Sequence, residues 1–219
     1  MVRARFYVDG FNLYHSLKGH PKAQWALWLD LRAMCDALRA PSQTLDKVLY
    51  FTALPHFAPA KMKRHQGYLT ALDNSGVEIV HGRFGPAEAE CLGSCHEIYQ
   101  TYQEKQTDVN IASRMISDAV TGKADSIYVL TGDSDQVPAI ETVRLLAPKV
   151  ETVGVFPIRR PLDEMKRAAH RTIQLGWHHF THNQFPNPLK LKSGKEIACP
   201  ESWLRPPAVP SAGPLPAAE

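Results

Sequence analysis

Along most of this chain, short apolar runs rich in β-branched residues alternate with stretches in which apolar residues recur every three or four positions. The first pattern predicts strands and the second predicts amphipathic helices. Strands are expected at Arg5 to Val8, in "DKVLYFTAL", "VEIVHGRF", "DSIYVLTG" and "KVETVGVFP", and at Thr172 to Leu175. Helices are expected in "FNLYHSLKG", "WLDLRAMCDALRA", "APAKMKRHQGYLTALDNSG", "TDVNIASRMISDAVTG", "QVPAIETVRLLA" and "PLDEMKRAAHRTIQL", the last leading into the final strand. Asp30 is placed to cap a helix whose inner face carries Leu31, Met34, Cys35 and Leu38. The run "DSIYVLTG" is apolar on both faces, as expected of a strand covered on both sides. Strand–helix alternation of this kind argues for an α/β fold, a parallel sheet between two layers of helices. Two stretches break the rhythm. Gly85 to Gln103 reads as an irregular insertion, and from Asn183 onward prolines crowd in, so a domain over residues 1–182 followed by a Pro-rich, partly disordered tail over 183–219 is expected.

This layout has a chemical consequence. In right-handed βαβ units the C-terminal ends of the strands and the N-termini of the following helices share one edge of the sheet. Ligands bind in the crevice at that edge, at a topological switch point. Asp9 ends the first strand, Asp133 and Asp135 follow the strand Ile127 to Leu130, and Asp108 opens a helix that runs from the same edge. Four carboxylates from three separate segments should meet there. Like charges a few Å apart repel unless a cation is present. Mg²⁺ or Mn²⁺, which prefer oxygen ligands and keep several waters, resolve the conflict and suit phosphodiester hydrolysis. Asn12 offers a neutral amide to the same edge, and Thr131 and Ser134 add hydroxyls. Each acid alone has a plainer reading: Asp108 and Asp135 as helix caps, Asp9-Gly10 as a turn. The joint placement carries the metal reading.

Composition changes little. The chain has 219 residues, 44% hydrophobic and 21% charged, with a net charge of +3. That is globular and mildly basic, which permits a polyanionic partner without requiring one. No apolar run approaches the ~18 residues of a membrane span, and no signal-peptide pattern precedes the first strand, so a cytoplasmic protein without a membrane partner is expected.

Three segments together, "YVDGFNLYHSL", "EKQTDVNIASRMISDAV" and "VLTGDSDQVPAIETV", resemble the NYN domain proteins, the LabA-like or DUF88 group of the PIN-like nuclease superfamily. The resemblance runs from about Arg5 to Leu175. It implies a PIN-like three-layer α/β/α sandwich with a mostly parallel sheet, and a divalent-metal-dependent ribonuclease. The family's acidic positions fall on Asp9, Asp108, Asp133 and Asp135, with Asn12 beside the first. An acid is frequent in the family where this chain has His170.

With RNA as the implied partner, in single-stranded form, nearby basic residues gain meaning. Lys61, Lys63 and Arg64 open the helix after the second strand, Lys105 precedes the acidic helix, and Arg159 and Arg160 follow the strand ending at Phe156. Such groups contact phosphates without reading sequence. Phe57, Tyr14 and Phe84 are candidates to stack bases, against their commoner use in packing.

The insertion carries "CLGSCH", with Cys91, Cys95 and His96. These offer three ligands at most, one short of a structural Zn²⁺ set, and His81, Cys199 or a second subunit would have to complete it. Unliganded thiols are the favoured reading. Two other functions compete with the nuclease: a non-catalytic RNA-binding or regulatory module, and a metal-dependent phosphatase or nucleotidase. An aspartyl-phosphate mechanism needs an acid two residues after the nucleophile, where this chain has Phe11. No P-loop or GxGxxG fingerprint is present. Pairing into a homodimer is left open.

Overall fold

In the computed structural model, residues 1–20, 23–91, 93, 95–158 and 162–204 are described. Six parallel strands form the central sheet: β1 (Val2–Asp9), β2 (Gln43–Thr52), β3 (Glu78–His81), β6 (Ser126–Leu130), β7 (Glu151–Phe156) and β8 (Arg171–Gln174). Their order is β3-β2-β1-β6-β7-β8. The chain therefore builds outward from β1 in one direction, then returns and builds outward in the other. The switch point lies between β1 and β6, where a crevice opens at the strands' C-terminal ends. Between β3 and β6 stand a hairpin, β4 (Arg83–Glu90) and β5 (Ile98–Lys105), and the helix α4 (Thr107–Val120).

Side-chain alternation along the strands divides the interior into two layers. On one face Phe6, Val8, Tyr50 and Leu130 pack against α1 (Gly10–Lys18), α2 (Leu31–Leu38) and α3 (Pro59–Ser75), through Leu13, Leu17, Met34 and Leu72. On the other, Tyr7, Phe51, Ile127 and Val129 pack against α4, α5 (Val137–Leu146) and α6 (Asp163–Ala168), through Ile111, Met115, Ile140 and Met165. This is the expected PIN-like three-layer sandwich. The apolar face of α2 and its cap by Asp30, whose Oδ1 accepts from Ala33 N at 3.0 Å, match the sequence pattern.

Three regions differ from expectation. Strand β1 begins at Val2, because the polar Arg3 and Arg5 still pair their backbone and neutralise their charges on Asp125, Asp46 and Asp118. The strand expected through Phe84 breaks at Gly82. A Cβ there would lie 2.7 Å from Thr107 Oγ1 and 2.8 Å from Lys105 O, so only glycine lets the chain pass α4. Within the stretch read as irregular, residues 85–90 and 98–103 form strands of the hairpin, in register from Arg83↔Lys105 to Glu90↔Ile98. Most of their side chains are exposed or half-buried, so no apolar alternation announced the strands.

Beyond 182, residues 183–204 pack onto the first layer instead of trailing away. Phe185, Leu189, Cys199 and Trp203 join its core, and Trp203 meets the Tyr68 ring at 6.0 Å. The strands β9 (Leu189–Lys190) and β10 (Glu196–Ile197) pair there, after a short helix α7 (Trp177–His182). The expected tail over 205–219 lies outside the described residues. Among the described residues no helix is long and apolar enough to cross a membrane.

Candidate active site

Strand β1 runs into α1 with no loop. Asp9, its last residue, is 5% exposed and caps the helix: Oδ1 accepts from Asn12 N at 2.9 Å and Oδ2 from the Thr131 hydroxyl at 3.0 Å. The following Gly10 is required by close approach. A Cβ there would lie 2.5 Å from the Tyr50 ring and 2.7 Å from Phe51 O.

Across the switch point, Thr131-Gly132-Asp133 follows the end of β6. Gly132 N donates to Asn12 Oδ1 at 2.9 Å and Asp133 N to Thr131 Oγ1 at 3.1 Å. Asp133 Oδ1 in turn accepts from Asp135 N at 3.0 Å, capping the single 3-10 turn Ser134–Gln136. The β1–α1 junction and the segment after β6 are thus laced together by Asn12 and Thr131, which fixes the distance between Asp9 and Asp133.

Asp108 arrives from a third direction, in the first turn of α4. The helix start is held by Glu104, whose Oε1 accepts from Thr107 N at 3.1 Å and from the Thr107 hydroxyl. Gln106, just before it, sits at φ 78°. Gln136 is fully buried behind the site, and its Nε2 donates to Asp108 O at 3.3 Å and to Asp108 Oδ1 at 3.4 Å. Its Oε1 is buried without a partner.

Carboxylate oxygens of Asp108, Asp133 and Asp135 all lie within 4.8 Å of one another. Asp9 stands beside this trio: with Asn12, Glu104, Asp108 and Asp133 it lines an open crevice of about 530 Å³. No arginine or lysine pairs with any of these acids among the described residues. The electrostatic cost is visible in proton affinity. Burial, with smaller pushes from Asp108 and Asp133, raises Asp9 to about 6 against the pull of its two hydrogen bonds. Asp108 is raised too, by burial and then by Asp133, Glu104 and Asp135. Hard oxygen donors at this spacing, with no basic partner, fit a divalent cation.

The other expected residues distribute differently. Asn12 lines the crevice and accepts from Gly132 N through its Oδ1, so it ties the start of α1 to the segment after β6. Lys61 and Arg64 line a second cavity beside the crevice; Lys63 lines neither. Lys105 borders a third depression together with His81, Arg83 and Asn110, and its Nζ donates to Gln103 at 2.7 Å. Arg159 and Arg160 lie outside the described residues. At the hairpin tip, His96 Nδ1 pairs with Glu90 Oε1 at 2.8 Å, and Cys91 and Cys95 are free thiols. Among the described residues, they do not gather with a third ligand as the acids do, and Cys199 is buried in the core. Sequence reasoning missed Glu104 and Gln136. Glu104 stands three residues before Thr107, a spacing that suits helix-end bonding, but its strand went unrecognised.

Fold and site together define a PIN-like α/β protein with a nuclease-like acidic edge. The sequence model of the NYN domain matches residues 3–176, and the chain belongs to the NYN domain family. It is 27% identical over 178 residues to a Pseudomonas putida (strain DSM 28022 / S16) protein named 6-hydroxy-3-succinoylpyridine 3-monooxygenase HspA. That match covers 65% of this chain and 56% of the relative, so the chain spans little more than half the length of that protein. A crystal structure of a protein of unknown function, VPA0982 from Vibrio parahaemolyticus RIMD 2210633, superposes with a TM-score of 0.53 and 16% identity. It covers 80% of this chain and 93% of its own, a likeness of fold.

Proposed function

We propose that this chain is a divalent-metal-dependent ribonuclease that hydrolyses phosphodiester bonds in single-stranded RNA. The observation that carries the reading is the convergence of Asp108, Asp133 and Asp135 within 4.8 Å, beside a buried Asp9 and, among the described residues, with no arginine or lysine ion-paired to them. Mg²⁺ or Mn²⁺ held by these three carboxylates would supply Lewis acidity toward the phosphate and a more acidic water.

The chain's own residues do the rest. Asp9, locked by Asn12 N and Thr131 and made more basic by its burial, is placed to accept a proton from the attacking water at one carboxylate oxygen. Gln136 orients Asp108, and Glu104 holds the start of α4 that carries it. Lys18, on the crevice wall, and Lys61 and Arg64 beside it attract and position the phosphate backbone. The activity in the name of the Pseudomonas relative belongs to a protein of which this chain covers 56%, and it does not enter the proposal.

The test is a cleavage assay on single-stranded RNA with Mg²⁺, Mn²⁺ or EDTA, paired with calorimetric metal titration. Cleavage should need the metal and vanish in Asp133→Asn. Metal-independent cleavage, or wild-type turnover in that variant, would overturn the reading.

A further inference from the structure

Beside the acidic crevice lies a second cavity, of about 180 Å³, with a different chemistry. Phe11, His15 and Lys18 line both, so the two form one continuous depression. The second cavity has aromatic walls. Phe84, from the hairpin, meets Phe11 edge-on at 5.6 Å and Phe57 edge-on at 5.1 Å between centroids. Tyr102, from the other hairpin strand, stacks flat on Phe57 at 4.4 Å and 2°. The hairpin thus braces this wall from both of its strands.

The inner end is polar but uncharged. Tyr50 and Thr52, at the end of β2, line it with His65 of α3, and Thr52 Oγ1 lies 3.2 Å from His65 Nε2. Burial keeps the Tyr50 phenol protonated and pulls the His65 imidazole down to about 4, so both are neutral at physiological pH. The outer part is cationic. Lys18, Lys61 and Arg64 line it, and none of them forms an ion pair among the described residues.

Each layer narrows the occupant. An aliphatic side chain would make no use of the hydrogen-bonding capacity that Tyr50, Thr52 and His65 keep beyond the Thr52–His65 contact. An anion at the inner end would meet no cation there. The volume is below the roughly 300–1,000 Å³ that takes in a drug-sized ligand. What remains is one planar heteroaromatic ring with hydrogen-bonding edges, joined to an anionic chain. We propose that this cavity is a nucleobase subsite for the RNA strand: one base packs against Phe57 and Phe84, its edge meets Tyr50, Thr52 and His65, and Lys18, Lys61 and Arg64 hold its flanking phosphates. The assignment rests on the ribonuclease reading for the identity of the strand. It adds that cleavage falls at a fixed offset from a captured base. Aromatic stacking accepts any base, while edge bonds at the inner end confer a preference.

The test reads binding, not turnover. The full chain is titrated in EDTA with a five-nucleotide single-stranded RNA and with versions carrying one abasic nucleotide at each position. One abasic position should weaken binding roughly ten-fold, the scale of a single base stack on an aromatic ring. Phe57→Ala, at an exposed position, should weaken the intact RNA similarly and erase the difference between intact and abasic RNA. Phe57→Trp should restore both, and Phe84→Ala should repeat the loss. Equal binding of every abasic RNA, or a position effect that survives Phe57→Ala, overturns the subsite. Nucleoside monophosphates that bind as tightly as the pentanucleotide overturn it in favour of a free-nucleotide site. The two readings fail separately. A Phe57-dependent position effect in a protein that no metal makes cleave RNA keeps the subsite and removes the nuclease. Asp133-dependent cleavage without a position effect does the reverse.

Discussion

Two aspartates on α4 sit ten residues apart, at opposite ends of one helix, and live in opposite electrostatic worlds. Asp118 is fully buried, yet Arg5 Nη1 reaches it at 2.9 Å, Arg114 Nε at 3.3 Å and the Tyr7 hydroxyl at 2.9 Å. Asp108 faces Asp133 and Asp135, with no basic partner among the described residues. A buried charge with partners holds β1 and α4 together, and its net contribution is small because desolvation offsets attraction. A group of like charges with no arginine or lysine paired to it among the described residues is held by the rest of the fold against its own repulsion, an arrangement that fits a cation. Both acids read alike along the chain; their surroundings separate structure from chemistry.

Four expected outcomes test this contrast. The largest concerns Asp133→Asn or Asp108→Asn, which should lower RNA cleavage by about 10³-fold, the scale of losing a group that stabilises transition-state charge. The thermal midpoint without metal should not fall, because repulsion is relieved. The mirror experiment is Asp118→Asn, which leaves Arg5 and Arg114 facing a neutral group and should cost roughly 3–5 kcal/mol in denaturant unfolding. Cleavage per folded molecule should stay near wild type; a selective loss of cleavage would blur the distinction between the two ends of α4.

Third, Mg²⁺ at about 100 times its dissociation constant should stabilise the wild type by about 2.7 kcal/mol. Asp133→Asn should lose most of that gain, whereas Asp118→Asn should keep it, as read by thermal unfolding with and without EDTA.

The smallest effect concerns pH. Asp9 holds its proton to about 6 in the folded chain, against an ordinary value of 3.8. Below both values the two states bind the proton equally. Between about 4 and 6 the unfolded chain releases it first, so metal-free stability falls as pH rises through that window, by at most roughly 1–3 kcal/mol. Asp9→Asn should flatten this slope and unfold later than wild type at pH 7 in EDTA, while cleaving poorly. A variant less stable than wild type under those conditions would show that Asp9 is held for structure.

How much of this was legible beforehand depended on periodicity. The continuous apolar runs in Phe6 to Val8 and Ile127 to Leu130, and the helical spacing of Ile111 and Met115, encode burial directly, so the sheet and the edge with its acids could be read from them. The hairpin could not, because its strands are solvated on most positions and carry no apolar beat. Residues 183–204 looked like a tail because prolines dominate the local pattern, while Phe185 and Trp203 find their partners Trp28 and Tyr68 far away in sequence. Glu104 and Gln136 were invisible for a related reason: a polar residue reports burial and partners only once its neighbours in space are known.

By itself the sequence determined the α/β class, the order of strands and helices, and which carboxylates stand at strand and helix ends, since these follow from local periodicity and capping chemistry. Only the tertiary structure decided which acids come within 4.8 Å, that Asn12 ties the start of α1 to the segment after β6, and that Phe11, Phe57 and Phe84 enclose a cavity beside them. Those are properties of distance between segments far apart in the chain. No local pattern encodes them, because they arise from how the layers pack around the switch point.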